Sequence, residues 1–349
     1  MAIPKLRMHA LYNSSSPDGE LGRDVETFFA SGGTQDDLIR NLNVEYRVSG
    51  KLVAQGIRSG RALALLEAVE DFSGCLIPVV ALLADAGQVE QMEMVLNRRA
   101  DVNMADEHGS ALVRIARRAA SAFTASTEAS GDASFSMDVF RAERALQLLI
   151  DRGVDLNATN RFGENALIIA AQAGHARVVK MLCAAGARVM DRSADGSNAL
   201  HRAMLCQNDP DGELTRQVVL WLQSADVDVN AKTFTGDTPL HILVGRDAKI
   251  SGEKVRVVGE ALIAGGAKLE IRNLAGNTPL LSAVAVAKET ADVVEALLWL
   301  GADPKVKSQF GWAIHQSGTP AVRRFLRDHL ELDSPTEVTV PVRRSFAMG

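Results

Sequence analysis

Catalysis and metal binding both need nucleophiles, bases or ligands at workable spacing, and this sequence supplies few such sets. Its seven histidines, among them His108, His175, His201 and His241, are dispersed along the chain. Two of them close the runs Asn198-Ala-Leu-His201 and Thr238-Pro-Leu-His241, so they read as copies of one pattern rather than as ligands converging on an ion. Cys75, Cys183 and Cys206 form no C-x-x-C pair and are too few for a disulfide framework. They are expected to be small core residues in a reducing compartment. Paired carboxylates such as Asp36-Asp37 suit the start of a helix. No phosphate-binding G-x-x-x-x-G-K-[ST], no G-x-S-x-G and no H-E-x-x-H occurs. The expectation is no catalytic residue, no metal site and no cofactor.

The bulk properties point the same way. A net charge of −5 and a pI near 5.9 argue against a chain built to neutralise nucleic-acid phosphates. The basic cluster Arg114, Arg117, Arg118 is expected to be a solvated helix face. No apolar run is long enough for a membrane span, and no apolar stretch follows Lys5 and Arg7 as in a signal peptide, so the expected location is the cytoplasm. Hydrophobic residues make up 47% of the chain but aromatics only 5%, which favours closely packed helical layers.

What must position any site is a repeat. One anchor is a Gly followed closely by Ala-Leu or Pro-Leu, at Gly109, Gly163, Gly196, Gly236 and Gly276, with a weaker copy at Gly311. A second anchor ends at Asn103, Asn157, Met190, Asn230, Glu270 and Lys305. Both series advance by 54, 33, 40, 40 and 35 residues. Two motifs that share one uneven rhythm mark one repeating unit. Within a unit, Ala166, Leu167, Ala170 and Ala171 form one short apolar helical stripe and Val178, Val179, Leu182 and Cys183 a second, with Gly174 between them. Neither helix is long enough to stand alone, so the pairs must stack.

The runs Thr238-Pro-Leu-His241, Thr278-Pro-Leu280, Asn198-Ala-Leu-His201 and Ala170-Ala-Gln-Ala-Gly-His175 resemble the ankyrin-repeat family over roughly residues 74–330. The resemblance implies an all-α solenoid of stacked helix-turn-helix pairs with β-hairpin-type loops. It also implies that His201 and His241 hydrogen-bond within and between repeats. The expected organisation is a flexible start (1–21), an N-terminal helical cap (22–72), about six repeats and a degenerate C-terminal cap (73–330), and a tail (331–349). In the cap, helical patterns lie near Asp24–Phe29, Gln35–Leu42 and Arg61–Phe72. The extra residues fall after the Gly anchors, at Thr124–Ser136, Asn208–Gly212, Arg246–Gly252 and Lys288–Thr290. They are expected on the edge opposite the hairpins, with Thr124–Ser136 flexible.

In this family the two residues before each Gly anchor sit at hairpin tips facing the concave side. Here that implies a partner-binding row from Glu107, His108, Arg161, Phe162, Phe234, Thr235, Leu274, Gln309 and Phe310. Exposed Phe162, Phe234, Leu274 and Phe310 need covering, and aromatic anchors with a polar rim are what protein interfaces use. The alternative is that these side chains fold back on neighbouring hairpins. The expected function is protein–protein interaction, as an adaptor or as a host-directed effector. An Ala- and Arg-rich ankyrin chain with a Ser-rich start is similar to bacterial effectors delivered into host cells. An inhibitor or immunity-type protein that blocks a partner enzyme is the alternative, and an enzyme with its site in the N-terminal segment is the weakest. The partner is another protein, with no nucleic acid and no membrane span; self-association is left open.

Overall fold

The computed structural model describes residues 20–106, 108–130, 137–245, 250–286, 291–308, 311, 314 and 318–329. The cap begins with α1 (Glu20–Ala30), α2 (Gln35–Arg58) and α3 (Leu63–Ala68). Thr34 starts α2 with a reciprocal capping box to Asp37. Whereas the sequence suggests a helix only over Gln35–Leu42, α2 runs on for 24 residues through Gly50 and Gly56. Burial of Val53, Ala54 and Ile57 outweighs the helix cost of the two glycines. The helix expected over Arg61–Phe72 shrinks to α3, and Phe72 is buried in the loop that follows.

Six helix pairs come next: α4 (Val79–Ala86) with α5 (Val89–Asn97), α6 (Ala111–Ser130) with α7 (Met137–Asp151), α8 (Ala166–Gln172) with α9 (Ala176–Ala184), α10 (Ala199–Ala203) with α11 (Glu213–Ser224), α12 (Pro239–Gly245) with α13 (Gly252–Ala264), and α14 (Pro279–Val286) with α15 (Asp292–Trp299). The first helix of each pair packs on the first helix of the next, and α9, α11, α13 and α15 do the same in a second layer. One core of small and branched residues runs from Leu21 to Leu326. α16 (Pro320–His329) ends the stack, with Val322 and Leu326 buried and Arg323, Arg324, Arg327 and Asp328 exposed. No strand forms among the described residues; an isolated bridge joins Asp106 and Gly109.

The two sequence anchors turn out to be cross-links between copies. At the second anchor, the last side chain accepts a backbone N–H from the next copy. Asn103 accepts from Asp155 at 2.7 Å, Asn157 from Arg188 at 2.9 Å, Asn230 from Lys268 at 2.9 Å and Glu270 from Asp303 at 2.9 Å. Met190 fills the same place with sulfur, 3.5 Å from the N–H of Asp228. At the first anchor, glycine is required. Gly236 has φ 78° and a Cβ there would lie 2.8 Å from the backbone nitrogen of Leu274; Gly196 has φ 81° and would meet Phe234 in the same way.

Two expectations from sequence are corrected. Arg114 is not on a solvated face: it is 1% exposed. Its guanidinium donates to Asp85 of α4 at 2.7 Å, to the carbonyl of Gly109 at 3.2 Å and to Asp106. Asp85 is also held by Arg58 of α2 at 3.1 Å, so this arginine ties the cap, the first copy and the second hairpin together. Arg117 is exposed and Arg118 half-buried, as a rim would be. Thr124–Ser130 is not loop but the end of the 20-residue α6; residues 131–136 lie outside the described residues. Phe123 on this extension lies flat on His175, with ring centroids 4.4 Å apart.

Candidate functional site

The hairpin tips are held in register by their own backbones. Ala194 donates its N–H to the carbonyl of Phe162 at 2.9 Å, Phe234 to Asp195 at 3.4 Å and Leu274 to Thr235 at 3.0 Å. Below each tip the first helix of the copy starts at a cap. Asn165 accepts from the N–H of Ile168 at 2.9 Å. In the two histidine-bearing copies the cap reaches the next copy as well. Thr238 donates its N–H to His241 Nδ1 at 3.2 Å, and His241 Nε2 donates to the carbonyl of Asn277 at 2.9 Å. His201 Nε2 donates to the carbonyls of Ala231 and Asp237 at 3.0 and 3.1 Å, and its Nδ1 accepts from the N–H of Asn198 at 3.3 Å. In both rings Nε2 faces carbonyl oxygens and so carries a proton, and burial holds both below the ordinary histidine pKa. The histidines are thus structural links, as the resemblance implied.

Along this frame the row of expected contact residues is placed as follows. Phe162 is 53% exposed, Phe234 69% and Leu274 79%. His108, Arg161 and Thr235 are exposed beside them. Phe234 leans on Gly196 and Leu274 on Gly236, close enough that a Cβ on either glycine would collide. The side chains do fold towards the preceding hairpin, yet most of each remains open to solvent. Arg161 sits over the Phe162 ring, 4.8 Å from its centroid. Thr235 Oγ1 donates to Asp237 at 2.6 Å. Glu107, Gln309 and Phe310 lie outside the described residues.

Beside the Phe162 tip lies a groove of about 1180 Å³ floored by the first helices. Its floor includes Arg117, Thr124, Ile169, Gln172, Leu205 and Ile242. Sequence reading missed these, although a signal exists. Ile169, Arg202 and Ile242 each stand two residues after the anchor leucine of their copy, and Arg117, Gln172 and Leu205 each stand five after it. A smaller cleft of about 170 Å³ joins the row to the groove, lined by His108, Arg117, Asn160, Arg161, Phe162 and Glu164.

The far wall comes from the inserted turns. Asn208, Asp209 and Pro210 face Ile250 and Ser251 across it, and Ser251 Oγ donates to the carbonyl of Pro210 at 2.8 Å. Asp209 is fully buried; its carboxylate accepts from the N–H groups of Leu214 and Thr215 at 3.0 and 2.8 Å, which starts α11. Lys254 of α13, also buried, lies 3.7 Å from Asp209 and donates to the carbonyl of Cys206 at 2.5 Å. Burial foremost pushes the Cys206 thiol up to about 11, so it stays protonated here. The turn at 208–212 is thus anchored by a buried pair. Residues 246–249 and 287–290 lie outside the described residues.

Comparison with known proteins agrees with the architecture. A family profile described as ankyrin repeats (many copies) matches residues 149–203. Two proteins named nuclear factor NF-kappa-B p105 subunit, from Mus musculus and Gallus gallus, are 29% and 30% identical to this chain over 160 residues. The matches cover 45% and 46% of this chain but only 15% and 14% of the relatives' own length. Among solved structures, the human ASB11 ankyrin repeat domain superposes with a TM-score of 0.53 at 18% identity, over 74% of this chain and 99% of that one. At that identity the likeness is one of fold.

Proposed function

We propose that this chain, an ankyrin-repeat protein, is an adaptor that holds a segment of a partner protein against its hairpin tips and first-helix groove. One observation carries the reading: Phe162, Phe234 and Leu274 stay largely exposed although a hydrogen-bonded frame fixes their backbones in one row. Large apolar side chains held rigidly in water are costly to keep unless a partner covers them. Rigid placement also lowers the ordering cost of binding. The groove behind them adds half-buried Ile169 and Leu205 beside exposed Arg117 and Gln172, an apolar centre with a polar rim. The buried Asp209–Lys254 pair keeps the far wall in place without a partner. No helix among the described residues is long and apolar enough to cross a membrane.

A site-specific photo-crosslinker tests this. Placed at the exposed tip residue Thr235, next to Phe234, it is expected to trap one dominant partner from the native cell. The same group at Arg256, on the exposed side of α13, is expected to trap that partner at least tenfold less. Equal capture at both positions would remove the groove as the binding site.

A further inference from the structure

The groove is not uniform along its length. Towards the fifth and sixth copies the tips are the apolar Phe234 and Leu274, and the first helices there place Gly245 and Ala285 where earlier copies have Arg117, Gln172 and Leu205. The other end, at the second and third copies, carries two guanidinium groups: Arg117 and Arg161 line the 170 Å³ cleft around Phe162, beside His108. Among the described residues the acid that lines the cleft is Glu164, which is already occupied: Arg202 lies 3.4 Å away and Asn160 donates to it at 3.0 Å. Arg161 is paired with the Phe162 ring. Among the described residues no carboxylate comes within salt-bridge distance of Arg161 or Arg117, although the chain as a whole is acidic by five charges.

Building on the partner-binding reading above, we infer that this cleft accepts the carboxylate of an Asp or Glu side chain from an extended segment of the partner protein, whose apolar residues then run towards Phe234 and Leu274. The cleft has room for a side chain, not for a folded domain. Two guanidinium groups without a carboxylate suit a planar carboxylate bidentately. The bordering Phe162 ring shields the contact from water, which strengthens it. The arrangement gives the bound segment a direction: acidic end at the second and third copies, apolar end at the fifth and sixth.

The test uses twelve-residue peptides displayed on phage, selected against the full chain and remeasured as synthetic peptides. The enriched set is expected to carry an Asp or Glu two to six residues from an apolar pair. The double reversal Arg117→Glu/Arg161→Glu is expected to weaken these peptides at least tenfold while melting within about 3 °C of the parent, since both side chains lie at the surface. Replacing the peptide's acidic residue with Lys is expected to restore binding to the reversed variant. Enriched peptides without an acidic preference, or affinities within twofold for the reversed variant, overturn the inference. So does an empty selection, and so does a single-stranded oligonucleotide or a phosphatidylserine vesicle that competes every peptide away. Failure of the groove reading itself is separately visible: then Phe234→Ser leaves peptide affinity unchanged as well.

Discussion

Three histidines do unlike work with the same chemistry. His201 and His241 bridge copies as neutral donors, while His175 is packed under Phe123 and beside Glu143, with Nε2 3.6 Å from a carboxylate oxygen. Burial foremost lowers all three pKa values, that of His175 to about 4. A depressed histidine binds its proton first in the unfolded chain. The stability it contributes is therefore complete above the unfolded value of 6.5 and is lost as pH falls from there towards the folded value. For His175 that loss amounts to roughly 3 kcal/mol between neutral pH and pH 4. Urea unfolding at pH 7.5, 6.0 and 5.0 is expected to show midpoints that fall with acid, and His175→Phe is expected to flatten the slope. A midpoint that rises towards pH 5 would contradict the assignment. The roles of His201 and His241 were legible in their tetrapeptides. That of His175 was not, because Phe123 and Glu143 belong to elements 52 and 32 residues earlier in the chain.

Among the elements, α6 departs furthest from the repeat. At twenty residues it is more than twice as long as α8, and it carries Arg114 in its buried first turns. One guanidinium serves three acceptors on α4, on the hairpin and at its own helix start. An ammonium cannot span them. Arg114→Met is expected to cost about 3 kcal/mol and Arg114→Lys about 2, since each leaves partly buried Asp85 and Asp106 underpaired. Chemical denaturation checks both. A loss below about 0.5 kcal/mol, the ordinary surface value, would return Arg114 to the solvated face that sequence alone suggests. Three arginines within five residues read as a polar stripe, and nothing local shows that the first of them turns inward to Asp85, 29 residues back. A separation of 45 residues likewise hid the Asp209–Lys254 pair, so the acidic turn showed in sequence only as an insertion.

At the scale of the molecule, copies are held together by anchor side chains, by hairpin backbones at three junctions and, in two copies, by a histidine. Repetition makes such links visible in sequence, because each must recur at the same step. The shared rhythm of the two anchors alone locates the stack and the hairpin row in the sequence. The groove floor was less visible: its residues vary in type from Arg117 to Leu205, and only their offset from the anchor leucine repeats. The cap gave least, since α1 to α3 follow no repeat and α2 passes through two glycines.

If the tips serve binding and not folding, partner affinity and thermal melting must separate in the triple variant Phe162→Ser/Phe234→Ser/Leu274→Ser, measured side by side with the partner trapped at Thr235. Side chains exposed by half or more contribute little to the fold, so melting is expected within a few degrees of the parent. Loss of three interface anchors is expected to weaken affinity at least a hundredfold. Unchanged affinity with a melting point lowered by ten degrees or more would show that the row holds the hairpins together and binds nothing.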